Sequence, residues 1–292
     1  MCDDHSFDDM INHLRQSTDI TRRHFGALSL GATLTSLLPR AANALDVTES
    51  EIEIKTTEGV MDAYFVHPAK GSYAAVIMWT DAFGLRPAFK QMGKRLAESG
   101  YTVLVPNPYY RLRKAPVFPV GTSFQTEDGR KQIMAAMSSL TADTQVADAK
   151  ACVTFLDSQS SVNKKLKMGT AGYCMGGPFT LRTAATFPER IGAGASFHGA
   201  NLVNDKPDSP HLLIPTIKAK YLFAIAENDD AKQPEAKDVL RSAFAKAKLD
   251  AEIEVYTGAQ HGWCPPDAAV YNETQAEKAW NRMLALFKSA LV

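Results

Sequence analysis

The chain predicts one α/β domain built on a mostly parallel central sheet with helices on both faces. Short apolar runs recur along it, as in "YAAVIMWT", "YTVLVPN", "LKMGTAGY", "IGAGASFHG", "AKYLFAIAE" and "AEIEVYTG". Longer segments with helical spacing separate those runs, and this alternation is the mark of strand-helix-strand units. The third observation is compositional. The 292 residues carry 32 basic and 32 acidic side chains and are 45% hydrophobic, a balance suited to a packed globular domain. Such a balance gives no footprint for nucleic acid or an anionic surface.

The first residues do not belong to that domain. "DITRRHFGALSLGATLTSLLPRAANA" sets Arg22, Arg23 and Phe25 before an uncharged run from Gly26 to Leu38 that ends in Ala42-Asn43-Ala44. The run is too short to span a hydrocarbon core of about 30 Å. It reads as a cleavable export signal, residues 1–44, and the paired arginines make it resemble a twin-arginine signal. The twin-arginine export machinery is then an expected partner, the periplasm the expected location, and residues 45–292 the mature domain.

The domain opens with "EIEIKTTEGVMDAYFVHP", where alternation over Glu51 to Lys55 and the glycine at 59 predict an antiparallel hairpin. Helices are predicted over Pro87–Ser99, Asp128–Leu156, Pro178–Phe187, Pro234–Lys248 and Tyr271–Leu291. Residues 111–129, irregular and proline-bearing, read as a lid or rim. In such a sheet the active site is expected at the carboxyl ends of the strands. Of the four cysteines, Cys2 leaves with the signal, and the odd remainder, Cys152, Cys174 and Cys264, predicts at least one free thiol in an oxidising compartment. Cys152 falls on the apolar face of a predicted helix and reads as core. No spacing suits a zinc site, and no metal or cofactor is expected.

The chemistry concentrates at "GTAGYCMGGP", residues 169–178. A strand, a turn and a helix around Gly172-x-Cys174-x-Gly176 match a nucleophile elbow, in which small flanking residues let a sharp turn expose a reactive side chain. The helix start is expected to favour the thiolate. A thiol nucleophile needs a base, and the base an orienting carboxylate. His261, on the glycine-flanked loop "YTGAQHGW" past the last strand, is the candidate base. The acid is sought after the preceding strand, in "AENDD", where Asp229 and Asp230 both qualify.

With "GYCMGG", "AENDD" and "YTGAQHGW" the chain resembles the dienelactone hydrolase family, α/β-hydrolases with a Cys-Asp-His triad, over roughly its whole mature length. The resemblance aligns the acid best with Asp229. It implies a carboxymethylenebutenolidase-like hydrolase in which Cys174 attacks a small ester or lactone and passes through an acyl-enzyme. Further correspondences follow from the same resemblance. Asp81, in "WTDAFG", falls where the family has a glutamate that activates the nucleophile. The backbone N–H groups of Ala82 and Met175 fall where two oxyanion donors are needed. Arg111, in "NPYYR", matches an arginine that binds the substrate carboxylate. A second family arginine is missing after His261, where "HGWCPP" stands, and Arg86 in "FGLRP" is the candidate substitute. Trp263 and Phe83 are expected in an apolar pocket wall.

A monomer acting on a small molecule is the leading expectation. Two other function classes compete with it: a thiol redox or sensing protein pairing Cys174 with Cys264, and a binding protein on the same scaffold.

Overall fold

The computed structural model describes residues 44–292. The expected export signal, all but its last residue, therefore lies outside the described residues. The expected opening hairpin is β1 (Val47–Thr56) and β2 (Gly59–Pro68), antiparallel and in register from Val47 opposite Pro68 to Thr56 opposite Gly59. Six more strands follow: β3 (Ala75–Trp79), β4 (Thr102–Pro106), β5 (Met168–Tyr173), β6 (Ile191–Phe197), β7 (Lys220–Ala226) and β8 (Ala251–Tyr256). They form one eight-stranded sheet in the order β1-β2-β4-β3-β5-β6-β7-β8. β2 joins β4 antiparallel, and every pairing from β4 through β8 is parallel. With its helices on both faces this is the α/β-hydrolase fold.

Alternate residues of each central strand enter opposite cores. Ile77, Trp79 and Leu104 join one, and Val76, Met78, Val103 and Val105 the other. The side-chain period of two in a strand buried on both faces produces this division. Helix α1 (Pro87–Glu98) and the C-terminal helix α7 (Glu273–Ala290) cover the second core with Phe89, Leu96, Trp280 and Phe287. The first core is covered by α2 (Glu127–Ser138), α3 (Ala142–Ser158), α4 (Gly176–Thr186) and α6 (Ala236–Ala247).

Three elements differ from the sequence expectation. The helix expected over residues 128–156 is two helices, because Thr141 caps the second by accepting from Thr144 N while Ser139 closes the first. The acidic stretch after β7 is not a plain loop: it winds into the short helix α5 (Glu227–Lys232). A 3₁₀ turn over Pro210–Thr216, unforeseen in sequence, precedes β7.

Strand register aligns the carboxyl ends. Trp79 pairs with Gly172, Gly172 with Ser196, Phe197 with Ala224, and Ala226 with Tyr256. The chain turns from β4 back across β3 to β5, so the β3 and β5 loops diverge at the crevice where such sheets bind ligands.

Candidate active site

Cys174 sits directly after β5 with φ of 51°, in the left-handed region that a side chain rarely adopts. Such strain costs on the order of 1–3 kcal/mol and persists only where surrounding bonds hold it. Here the Cys174 N–H is shared by Phe197 O at 3.0 Å and His198 Nδ1 at 3.1 Å. The Cys174 carbonyl in turn accepts from Gly177 N and Ala200 N. The two flanking glycines are required by contact. A Cβ on Gly172 would lie 2.0 Å from Gly176 O, and one on Gly176 would lie 2.7 Å from the carbonyl oxygens of Trp79 and Thr80.

His261 lies on the loop after β8, with Nδ1 2.6 Å from Asp229 Oδ2. The loops are laced beneath it: His261 N donates to Asn228 Oδ1 at 2.8 Å and Glu227 N to Ala259 O at 2.9 Å. Burial disfavours charge on this imidazole. The Asp229 carboxylate and the charge and hydrogen bond of Cys174 overcome it, so the His261 pKa is raised well above the ordinary value. Of the two candidate acids only Asp229 is on the histidine. Asp230 is paired with Lys237 Nζ at 2.6 Å.

A second histidine was missed in sequence. His198 follows β6 with φ of 39°, is 1% exposed and lines the same cavity as Cys174 and His261. Its ring centroid lies 5.1 Å from that of His261 and 5.0 Å from that of Trp263. Because Nδ1 accepts from Cys174 N–H, the proton belongs on Nε2, which finds no protein partner. Burial, with His261 alongside, holds the His198 pKa well below the ordinary value. The signal that could have found it is a polar side chain in "SFHG", at the carboxyl end of the strand beside the elbow strand.

Ala82, from the loop after β3, lines the cavity, while Met175 begins the turn into α4. Tyr109 links them from below: its hydroxyl donates to Ala82 O at 2.9 Å and lies 3.1 Å from Met175 Sδ. Tyr109 is fully buried and stands beside Arg111 in the "NPYYR" segment.

Several expectations need correction. Arg111 does not line the cavity. It stacks on Tyr110 and is held by Glu58 and by both oxygens of the fully buried Asp148, at 3.0 and 2.7 Å. A buried carboxylate left alone would be costly, so this guanidinium is taken by the fold. Asp81 lines the cavity, but its Oδ1 accepts from Phe83 N at 2.9 Å and its two oxygens receive Arg86 at 2.6 and 2.9 Å. Trp263 is fully buried, stacked on Tyr256 behind His198, and is no part of the cavity wall, whereas Phe83 is. Among the described residues, Cys152, Cys174 and Cys264 form no disulfide. Cys264 packs in the core beneath α1 and α7 while Cys174 belongs to the opposite one, which separates the pair considered for redox chemistry.

The cavity has a volume of about 520 Å³, ample for a small organic molecule. Pro116 to Gln125, from the segment read as a lid or rim, form much of its wall, with Phe83, Val270 and Ala88 completing the apolar surface.

Known proteins resemble the chain over most of the described residues. The sequence model of the Dienelactone hydrolase family matches residues 61–291. A carboxymethylenebutenolidase-named protein of Synechocystis is 27% identical over 85% of this chain and 99% of its own. The carboxymethylenebutenolidase of Rhodococcus opacus is 25% identical, covering 82% and 91%. Among solved structures, a Klebsiella pneumoniae protein described as a dienelactone hydrolase superposes with a TM-score of 0.72 at 24% identity, covering 83% of this chain and 99% of the other.

Proposed function

Because the chain belongs to the dienelactone hydrolase family, we propose that it hydrolyses a small ester or lactone with Cys174 as nucleophile, His261 as proton carrier and Asp229 as the group that orients the imidazole. The observation that carries the reading is the Asp229–His261 bond of 2.6 Å with Cys174 acting on the same ring, all beside one cavity. In the first half-reaction Cys174 Sγ, its proton already carried by His261, attacks the carbonyl carbon. The C–O bond then breaks and the departing oxygen takes that proton. In the second, water attacks the thioester, gives its proton to His261, and the carboxylic acid leaves as the thiol is restored.

The N–H groups of Ala82 and Met175 are the donors assigned to the tetrahedral oxyanion, each worth about 3 kcal/mol in the transition state. Asp81 is assigned a supporting role through Arg86, on the bonds described above, in place of direct contact with the thiol.

Steady-state cleavage of small activated esters tests the reading. Cys174→Ala is expected to lower kcat/KM at least about 10³-fold, and full activity in that variant would refute it. We further propose, on the arginine pair and the short apolar run, that the chain is exported to the periplasm. N-terminal sequencing of periplasmic extract is expected to start near Leu45, and an intact Met1 on protein confined to the cytoplasm would remove that proposal.

A further inference from the structure

We propose that the site selects substrates whose groups inside the cavity are uncharged and apolar, and that the cluster Asp81–Arg86–Asp267 rejects those bearing a carboxylate. The inference rests on the hydrolase reading above and names its substrate class. Among the described residues, Arg86 is the only arginine or lysine lining the cavity.

Arg86 is already fully bound. A guanidinium has five N–H donors, and each has an acceptor here. Nε donates to Asp267 Oδ2 at 2.6 Å, and one terminal nitrogen to Asp81 Oδ1 at 2.6 Å and Gly84 O at 3.4 Å. The other terminal nitrogen reaches Asp81 Oδ2 at 2.9 Å and Asp267 Oδ1 at 3.0 Å. Phe83 and Phe89 lie against the group, with ring centroids 5.4 and 4.9 Å from its central carbon. Burial works against the Arg86 charge, but the two carboxylates more than offset it and raise its pKa.

One cation between two carboxylates leaves one net negative charge at this wall. An incoming carboxylate meets that charge in a partly enclosed space where screening is weak, and no donor of Arg86 remains to receive it. The rest of the wall favours apolar groups: Phe83, Val117, Phe118, Phe124 and Val270 line it. Asp267 lies on the loop after β8 and Asp81 on the loop after β3, so selectivity depends on a contact that only the folded chain makes.

A matched pair of esters tests this on the full chain. p-Nitrophenyl butyrate and p-nitrophenyl hemisuccinate have the same length and differ in a terminal methyl or carboxylate. Butyrate is expected to be preferred in kcat/KM by at least about tenfold. Asp267→Asn removes one negative charge and releases Arg86 donors, so this preference is expected to fall about tenfold or reverse. Equal or faster cleavage of the hemisuccinate by the unaltered chain, or an unchanged ratio in Asp267→Asn, would overturn the proposal.

Calorimetric binding of butyrate methyl ester and monomethyl succinate to Cys174→Ala protein reads the same selectivity without turnover. Cleavage that survives in Cys174→Ala would sink the nucleophile assignment, while the binding ratio would still decide the selectivity.

Discussion

The loops after β6 and β8 each carry a buried histidine to the elbow, and the two imidazoles, 5.1 Å apart, are driven to opposite protonation behaviour. His261 has a carboxylate on Nδ1 and the charge of Cys174 acting on its ring, and its pKa is raised. His198 has a backbone N–H on Nδ1 and aromatic rings around it, and its pKa is lowered. Equal burial thus has opposite outcomes, because a carboxylate and the Cys174 charge act on one ring while only a second imidazole acts beside burial to lower the other. One ring suits proton transfer; the other suits holding a strained backbone.

The largest expected break in this comparison is His261→Ala, which removes the proposed proton carrier. It is expected to lower kcat on the order of 10²–10⁴-fold, measured with an activated ester. Asp229→Asn sharpens the comparison by replacing the acceptor that makes His261 unlike His198. A loss approaching that of His261→Ala is expected, while Asp230→Asn leaves kcat/KM near the starting value because Asp230 serves Lys237.

Next in size is His198→Ala. It removes an acceptor of the Cys174 amide and is expected to cost about 1–3 kcal/mol in denaturant unfolding. His198→Asn, which can present a side-chain oxygen, is expected to recover part of that loss and of kcat, and equal damage from both variants would refute a role for the Nδ1 acceptor.

The smallest effect is on the pH dependence of stability. Below about 6.5, the ordinary histidine value, the unfolded chain protonates at position 198 and the folded one resists, so stability should fall as pH falls. His261 acts in the reverse sense. Its contribution is complete below 6.5 and fades as pH rises through the raised folded-state value. His198→Asn should therefore flatten the acid-side loss and leave the alkaline-side loss intact, read from unfolding midpoints across pH.

Much of this was legible along the chain. The apolar runs located the strands, because strands buried on both faces are largely apolar, as Ala75–Trp79 is throughout and Thr102–Pro106 is after its first residue. "GYCMGG" located the elbow, since a contact of 2.0 Å at Gly172 excludes every other residue. The break at Thr141 was hard to read because helical spacing runs on through it and the cap decides the end, and the helix at Glu227–Lys232 because its six residues bury no apolar face.

What the order of residues determined by itself was local: the strand-helix alternation, the elbow, and a histidine loop past the final strand, each a matter of backbone sterics and side-chain period. Tertiary structure decided the pairings. It chose Asp229 over Asp230, gave Arg111 to the buried Asp148, bound Arg86 between carboxylates 186 positions apart in Asp81 and Asp267, and set His198 under Cys174. The physical reason is that burial makes an unpartnered charge or amide costly, so polar partners are assigned by proximity after the sheet has formed.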